Sequence, residues 1–275
     1  MTLSIASTTT LNNGVEMPRL GLGVYLSKPG DETKNAVECA IAAGYRHVDT
    51  AAVYRNEADV GKGIRRSGAP RDQVFVTTKV WNTDQGFEET LRACDASLDR
   101  LGLDYLDLYL VHWPMPAVME ETWRAMEAIL HEGKARSIGV SNFLVHHLEQ
   151  LFEFAETLPA VDQVEFHPHL QQPGLRSFLR AHGISMTAWS PLKRGEVVDM
   201  PEIVEIAERH ERTPVQVVIR WMLQGGLITI PKSVHRERIM ANASVYDFEL
   251  SDADIEEIDA LDRNERTGPH PDFFP

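Results

Sequence analysis

Nowhere in these 275 residues does an apolar run approach the roughly 18–20 residues needed to cross a bilayer, so no membrane-spanning helix is expected. Cysteine is scarce. The two present, Cys39 and Cys94, fall on the apolar side of helical patterns, which predicts buried free thiols and excludes a disulfide framework. Positive charge is also short: 27 Lys and Arg stand against 41 Asp and Glu, for a net charge of −14. That balance argues against a general nucleic-acid or anionic-membrane surface, and any anionic ligand must meet a local basic cluster. The first ten residues lack the basic start and apolar block of a signal peptide, so a cytoplasmic protein is the expectation. Linkers, low-complexity tracts and internal repeats are missing too, which points to one domain over residues 1–275.

What is present is a rhythm. A turn dipeptide, Asn13-Gly14, predicts an N-terminal β-hairpin. Short apolar strands then alternate with amphipathic helices. Strands are expected over 20–25, ending at Asp49, ending at Lys79, ending at His112, and over 137–140, 161–165, 184–189 and 227–230. Helix signals fall between them and continue beyond the last, from His235 and again from Ser251. Eight βα units predict an α/β protein: a (β/α)8 TIM barrel with an N-terminal β-hairpin and extra C-terminal helices. A doubly wound dinucleotide-binding sheet is the rival, and it requires G-x-G-x-x-G between a strand and a helix. Gly21-Leu22-Gly23 is followed by Val24-Tyr25-Leu26, so the third glycine is missing, and Gly61-Lys62-Gly63 lies on a helix.

Three strands close on titratable residues. Asp49 ends the first motif strand, with Tyr54 in the loop after it; Lys79 ends the next, and His112 the third. In a barrel all strand carboxyl ends open onto one face, so these four side chains would converge. A tyrosine has a pKa of about 10 and donates a proton poorly at neutral pH. A buried ammonium beside it would favour the phenolate and lower that value, with Asp49 holding Lys79 charged and oriented. Tyr54 would then protonate an oxygen as the attached carbon receives a hydride, and a neutral His112 would donate a hydrogen bond to that oxygen. Alone, each of these residues is more often structural; Asp49 could cap a helix and Tyr54 pack over it.

The ordered set Asp49, Tyr54, Lys79 and His112, within Gly44-Tyr45-Arg46-His47-Val48-Asp49-Thr50-Ala51 and Leu110-Val111-His112-Trp113-Pro114, resembles the aldo-keto reductase superfamily. Ile138-Gly139-Val140-Ser141-Asn142-Phe143 and Ile230-Pro231-Lys232-Ser233-Val234 resemble it as well. The short prokaryotic diketo-gluconate and methylglyoxal reductases look nearest. The resemblance implies NADPH lying extended across the barrel mouth and a small-molecule carbonyl substrate: an aldehyde, a small dicarbonyl or a keto-sugar. It places Ser141, Asn142 and Gln163 at the nicotinamide carboxamide, and Trp189 on the nicotinamide ring. Ser190 and Leu192 match residues along the pyrophosphate; Lys232, Ser233, Val234, Arg238 and Asn242 match the adenosine end. Tyr25, Trp81 and Trp113, with His112, fall where members place the substrate pocket, and a monomer is expected.

The stretch after Trp113 is short and the residues after Asp262 are few, where relatives carry longer loops. An open, shallow pocket follows as an expectation. Two other functions stay open: a non-enzymatic NADPH-binding, redox-sensing regulatory barrel like the potassium-channel β subunits, and a metal-dependent barrel hydrolase using His167-Pro168-His169 with His47 and His112. The lysine–tyrosine pair argues against the hydrolase, which has no use for it, and no metal is expected.

Overall fold

The computed structural model describes residues 3–274. A hairpin of β1 (Thr8–Thr10) and β2 (Glu16–Pro18) precedes eight parallel strands: β3 (Leu22–Gly23), β4 (His47–Asp49), β5 (Phe75–Val80), β6 (Leu108–Val111), β7 (Ile138–Ser141), β8 (Val161–Glu165), β9 (Ser185–Trp189) and β10 (Ile228–Thr229). Each strand pairs with the next in sequence. Parallel bridges Leu20–Thr229 and Gly23–Lys232 join the first to the last, completing the expected (β/α)8 barrel. The first strand is shorter than the pattern over 20–25 suggests: Tyr25 has left it for an exposed loop. β5 shows why these runs become barrel strands: Phe75–Val80 is rich in β-branched residues and buried at every position, as a strand covered on both faces must be.

The helices are α1 (Asp31–Ala42), α2 (Glu57–Ser67), α3 (Phe87–Leu101), α4 (Met119–His131), α5 (Val145–Phe152), α6 (Pro173–Ala181), α7 (Pro201–Arg209), α8 (Pro214–Gln224), α9 (Arg236–Ala243) and α10 (Asp252–Asp259). Local chemistry sets their ends. Thr213 caps α8 by accepting the Gln216 amide while Gln216 answers to the Thr213 amide, and Pro214 takes the first helical position. Gly102 stops α3 in the left-handed conformation, with φ 64°. Gly61, in the pair that fails as a nucleotide fingerprint, has a packing reason: a Cβ there would sit 1.8 Å from the Leu101 carbonyl oxygen at the end of α3. Cys94 is buried as expected, whereas Cys39 is only half-buried, near the edge of the apolar face of α1.

The two ends of the barrel differ. At the amino-terminal end, Leu11 and Met17 of the hairpin pack with Phe75, Leu108, Leu110, Val161 and Ile228, forming an apolar plug. At the other end Asp49, Lys79, Ser141 and Gln163 stand in the carboxyl halves of their strands, all buried.

Candidate active site

Asp49 and Lys79 stand on neighbouring strands, β4 pairing Asp49 with Thr77 of β5. Two residues further on, Lys79 points to the same side. Its Nζ donates to Asp49 Oδ1 at 2.6 Å and to the Thr50 carbonyl at 2.8 Å, and the side chain is fully enclosed. From β8, Gln163 Nε2 donates to Asp49 Oδ2 at 2.7 Å. The carboxylate is thereby held from both sides. Such a pair offsets its desolvation only while complete; removing one partner typically costs about 3–5 kcal/mol.

Tyr54 ends a short 3-10 turn, Ala52–Tyr54, after β4. The Lys79 ammonium lies 5.3 Å from its ring centroid. Among the described residues the ammonium's hydrogen bonds go to Asp49 and Thr50, not to the phenol. The expected lowering of the Tyr54 pKa is therefore absent: burial pushes it well above 10, and the charge of Asp49 and the neighbouring Tyr25 add to the rise. Desolvation wins because the lysine's charge is already answered by Asp49. Lys79 itself is lowered by burial, against the opposing pull of Asp49. Burial, followed by the charge of Lys79, holds His112 well below 6.5, so its ring is neutral.

His112 is the hub of an aromatic group. Tyr54 meets it edge-on at 5.7 Å and Trp81 at 5.1 Å, while Tyr25 lies 5.0 Å from Tyr54. Trp113 is buried, and Phe274 stacks on it at 4.2 Å with 28° between the planes. Phe274 also meets Trp81 edge-on at 6.0 Å. The pocket is thus less open than the sequence suggests, because the C-terminal segment folds back and adds a wall. Phe274 escaped sequence reading, since its partners lie some 160 and 190 positions away and no periodicity marks it.

The residues matched to a nicotinamide carboxamide form one connected patch. Ser141 Oγ donates to the Gln163 carbonyl at 2.7 Å, and Asn142 Nδ2 donates to the His112 carbonyl at 2.9 Å. Trp189 Nε1 donates to Asn142 Oδ1 at 2.8 Å, which fixes the plane of the indole. Asn142 and Ser190 take left-handed backbone angles, φ 65° and 52°. Asparagine tolerates this region and serine does so at a cost, as residues held over a ligand often must. Ser190 and Leu192 lie half-buried where β9 leads into a turn at 193–199, the Ser190 carbonyl accepting the Lys193 amide.

At the far side, Lys232 follows β10 and Arg238 lies in the first turn of α9; both are exposed, and among the described residues neither has an ion-pair partner. Uncompensated cations at a helix start, in a chain of charge −14, fit an anionic group there. Ser233 and Asn242 are buried nearby and Val234 is half-buried. These donors suit a phosphate-bearing nucleotide.

Glu165 is a second residue that sequence reading left aside. It ends β8, opposite Trp189, and is fully buried. Its Oε1 accepts the Thr267 amide at 2.6 Å, the Thr267 hydroxyl and the Gly268 amide at 3.1 Å. Burial pushes its pKa up, but hydrogen bonds from His167 and Thr267 outweigh that and leave it lowered. Gly268 is pressed so close to Trp189 that a Cβ would sit 2.5 Å from the indole. The hydrolase ligand set does not converge: His47 bonds Thr77, His167 contacts Glu165, and His169 faces Lys193.

With this geometry in view, likeness to known proteins decides the family. The model of the aldo/keto reductase family matches residues 19–263. The chain is an aldo/keto reductase. As a member, it is an NADPH-dependent carbonyl reductase. This reductase is 53% identical over 272 residues to the glyoxal reductase of Bacillus subtilis (strain 168), covering 99% of each chain. It is 52% identical over 270 residues to the 9,11-endoperoxide prostaglandin H2 reductase of Trypanosoma cruzi (strain CL Brener), covering 97% of this chain and 95% of that one. A variant of Gox0644 solved in complex with NADPH matches the reductase with a TM-score of 0.93 and 44% identity, over 98% of both chains.

Proposed function

We propose that this reductase converts small aldehydes, dicarbonyls or keto-sugars to alcohols, with Tyr54 as the proton donor. One observation carries the assignment: the buried Lys79–Asp49 pair lies beside Tyr54 in the same aromatic pocket as a neutral His112. NADPH, when bound, supplies the hydride to the carbonyl carbon. Ser141, Asn142 and Gln163 would hold its carboxamide and Trp189 would cover its ring. The chain does the rest. A neutral His112 donates a hydrogen bond to the carbonyl oxygen and fixes its direction. The raised pKa keeps Tyr54 protonated until that oxygen gathers charge; the phenol then gives up its proton, and solvent restores it. Lys79, held by two short hydrogen bonds, offsets the Asp49 charge that would otherwise disfavour the phenolate left behind.

Lys232, Ser233 and Arg238 are proposed to grip the phosphate that distinguishes NADPH from NADH. The named glyoxal activity of the Bacillus relative supports a small dicarbonyl substrate. An equally similar relative named for an endoperoxide shows that identity near 50% does not by itself choose one. NADPH oxidation against methylglyoxal, an aromatic aldehyde and a keto-sugar tests the assignment. Turnover of at least one, abolished in Tyr54→Phe, is the expected result. Tight NADPH binding with no turnover of any would instead favour a regulatory barrel.

A further inference from the structure

After α10 the chain crosses the barrel mouth on a series of ties. Asp262 accepts the Gln171 amide at 3.2 Å, Lys193 donates to Glu265 at 2.8 Å, and Glu165 takes Thr267 and Gly268 as described. One further tie comes just before Phe274. Asp272 Oδ1 meets His146 Nε2 at 3.0 Å and His147 Nε2 at 3.3 Å, at the start of α5. The rings of these histidines lie 4.0 Å apart.

Ligand atoms of His146, His147 and Asp272 all fall within 4.8 Å of one another, which first suggests a transition-metal site. The tautomer of His147 argues otherwise. Its Nδ1 accepts the Leu144 amide at 3.1 Å, so in the neutral ring the proton sits on Nε2, the atom that faces Asp272. A metal on Nε2 would need that lone pair and would move the proton to Nδ1, against the Leu144 N–H. Metal-bound imidazoles donate from the second nitrogen; this one accepts there. Burial and the neighbouring His146 push His147 down to about 4, which keeps the ring neutral and the tautomer argument in force.

We infer that His146 and His147 are positioning residues of the carbonyl pocket: through their close polar contacts with Asp272 they hold Phe274 against Trp113 and Trp81, completing an aromatic slot for a small carbonyl compound. Asp272 lies in a short 3-10 turn, Pro271–Phe273, and Phe274 follows it directly, so fixing one places the other. The first turn of α5 and the pocket wall thereby become one unit. This rests on the carbonyl-reductase assignment only for its kinetic readout.

The test compares Asp272→Ala, Asp272→Asn and Phe274→Ala. An aromatic contact is worth about a five- to tenfold change in binding. Asp272→Ala should therefore raise KM for methylglyoxal about five- to tenfold, leave kcat and NADPH affinity unchanged, and speed amide exchange over 270–274. Asp272→Asn keeps a polar group of the same shape against both imidazoles and should stay near wild type. The double variant Asp272→Ala/Phe274→Ala should be no worse than Phe274→Ala alone. Unchanged KM and exchange in Asp272→Ala would overturn the inference. So would binding of one equivalent of zinc ion to the native protein that His146→Gln and Asp272→Asn both abolish, since a metal needs the carboxylate. If no carbonyl compound is turned over, the functional assignment fails, and the exchange measurement still decides the clasp.

Discussion

The two ends of this barrel are built from the same eight strands and obey opposite rules. At the amino-terminal end Leu11 and Met17 fill the interior with apolar side chains, packed on Phe75, Leu108, Leu110, Val161 and Ile228. At the carboxyl end the same strands carry a fully buried ammonium, a buried carboxylate and a buried amide, joined through the carboxylate. Burial stabilises one end and costs free energy at the other, where only a complete hydrogen-bond network offsets it. The stability of the plug is what lets the mouth carry an arrangement poor in stability and rich in chemistry.

The largest expected effect falls at the mouth. Tyr54→Phe should lower kcat by about 10²–10⁴-fold while fluorescence titration gives an unchanged NADPH affinity and thermal unfolding stays near wild type. Near-normal turnover would remove the proposed donor. The plug should respond in the opposite sense: Met17→Ala should cost about 2–5 kcal/mol in denaturant unfolding, with kcat per folded molecule unaltered. A change in kcat larger than the change in folded fraction would show that the two ends are not separable.

A third experiment reads the rim beyond the catalytic group. Arg238→Ala removes a charge-assisted contact worth about 1.5–3 kcal/mol, so NADPH affinity should fall about ten- to a hundredfold and NADH affinity little. Equal losses for both nucleotides would refute the phosphate assignment. The smallest effect belongs to Asp162, on β8 between the two ends. Among the described residues neither of its carboxylate oxygens has a hydrogen-bond partner within ordinary bonding geometry. Burial raises its pKa well above 3.8, against a smaller opposing pull from the Phe143 backbone. The folded state therefore holds this proton more tightly than the unfolded chain, and stability is lost as pH rises from the unfolded value of about 3.9 through the folded one. Asp162→Asn should remove that loss, with a gain on the order of 1 kcal/mol at pH 8 that closes toward pH 4. A variant less stable at pH 8 would count against it.

The barrel was legible because its signals are local. Val48, Val76 and Leu108 mark strands by what surrounds them within five residues, and Gly44, Gly102 and Gly133 end helices where the pattern breaks. The placement of Asp49, Lys79 and His112 at strand ends was legible for the same reason. What the sequence concealed depends on distance along the chain. Phe274 is a wall only because Trp113 waits for it, and Glu165 is an anchor only because Thr267 and Gly268 return to it. The proton affinity of Tyr54 is hidden from the sequence for a related cause. Its sign rests on whether desolvation or a lysine's charge prevails, which only enclosure and the partners already held by Lys79 decide.

The closure of the sheet carries a mechanical consequence. Most neighbouring staves of this hoop are joined by ladders, but the first and last meet at the isolated bridges Leu20–Thr229 and Gly23–Lys232. That is a seam, and a hoop under strain gives way at its seam. Lys232 is part of it, so a ligand gripped by Lys232 would act as a rivet across this joint of the ring, tightening the cask from one point on its rim.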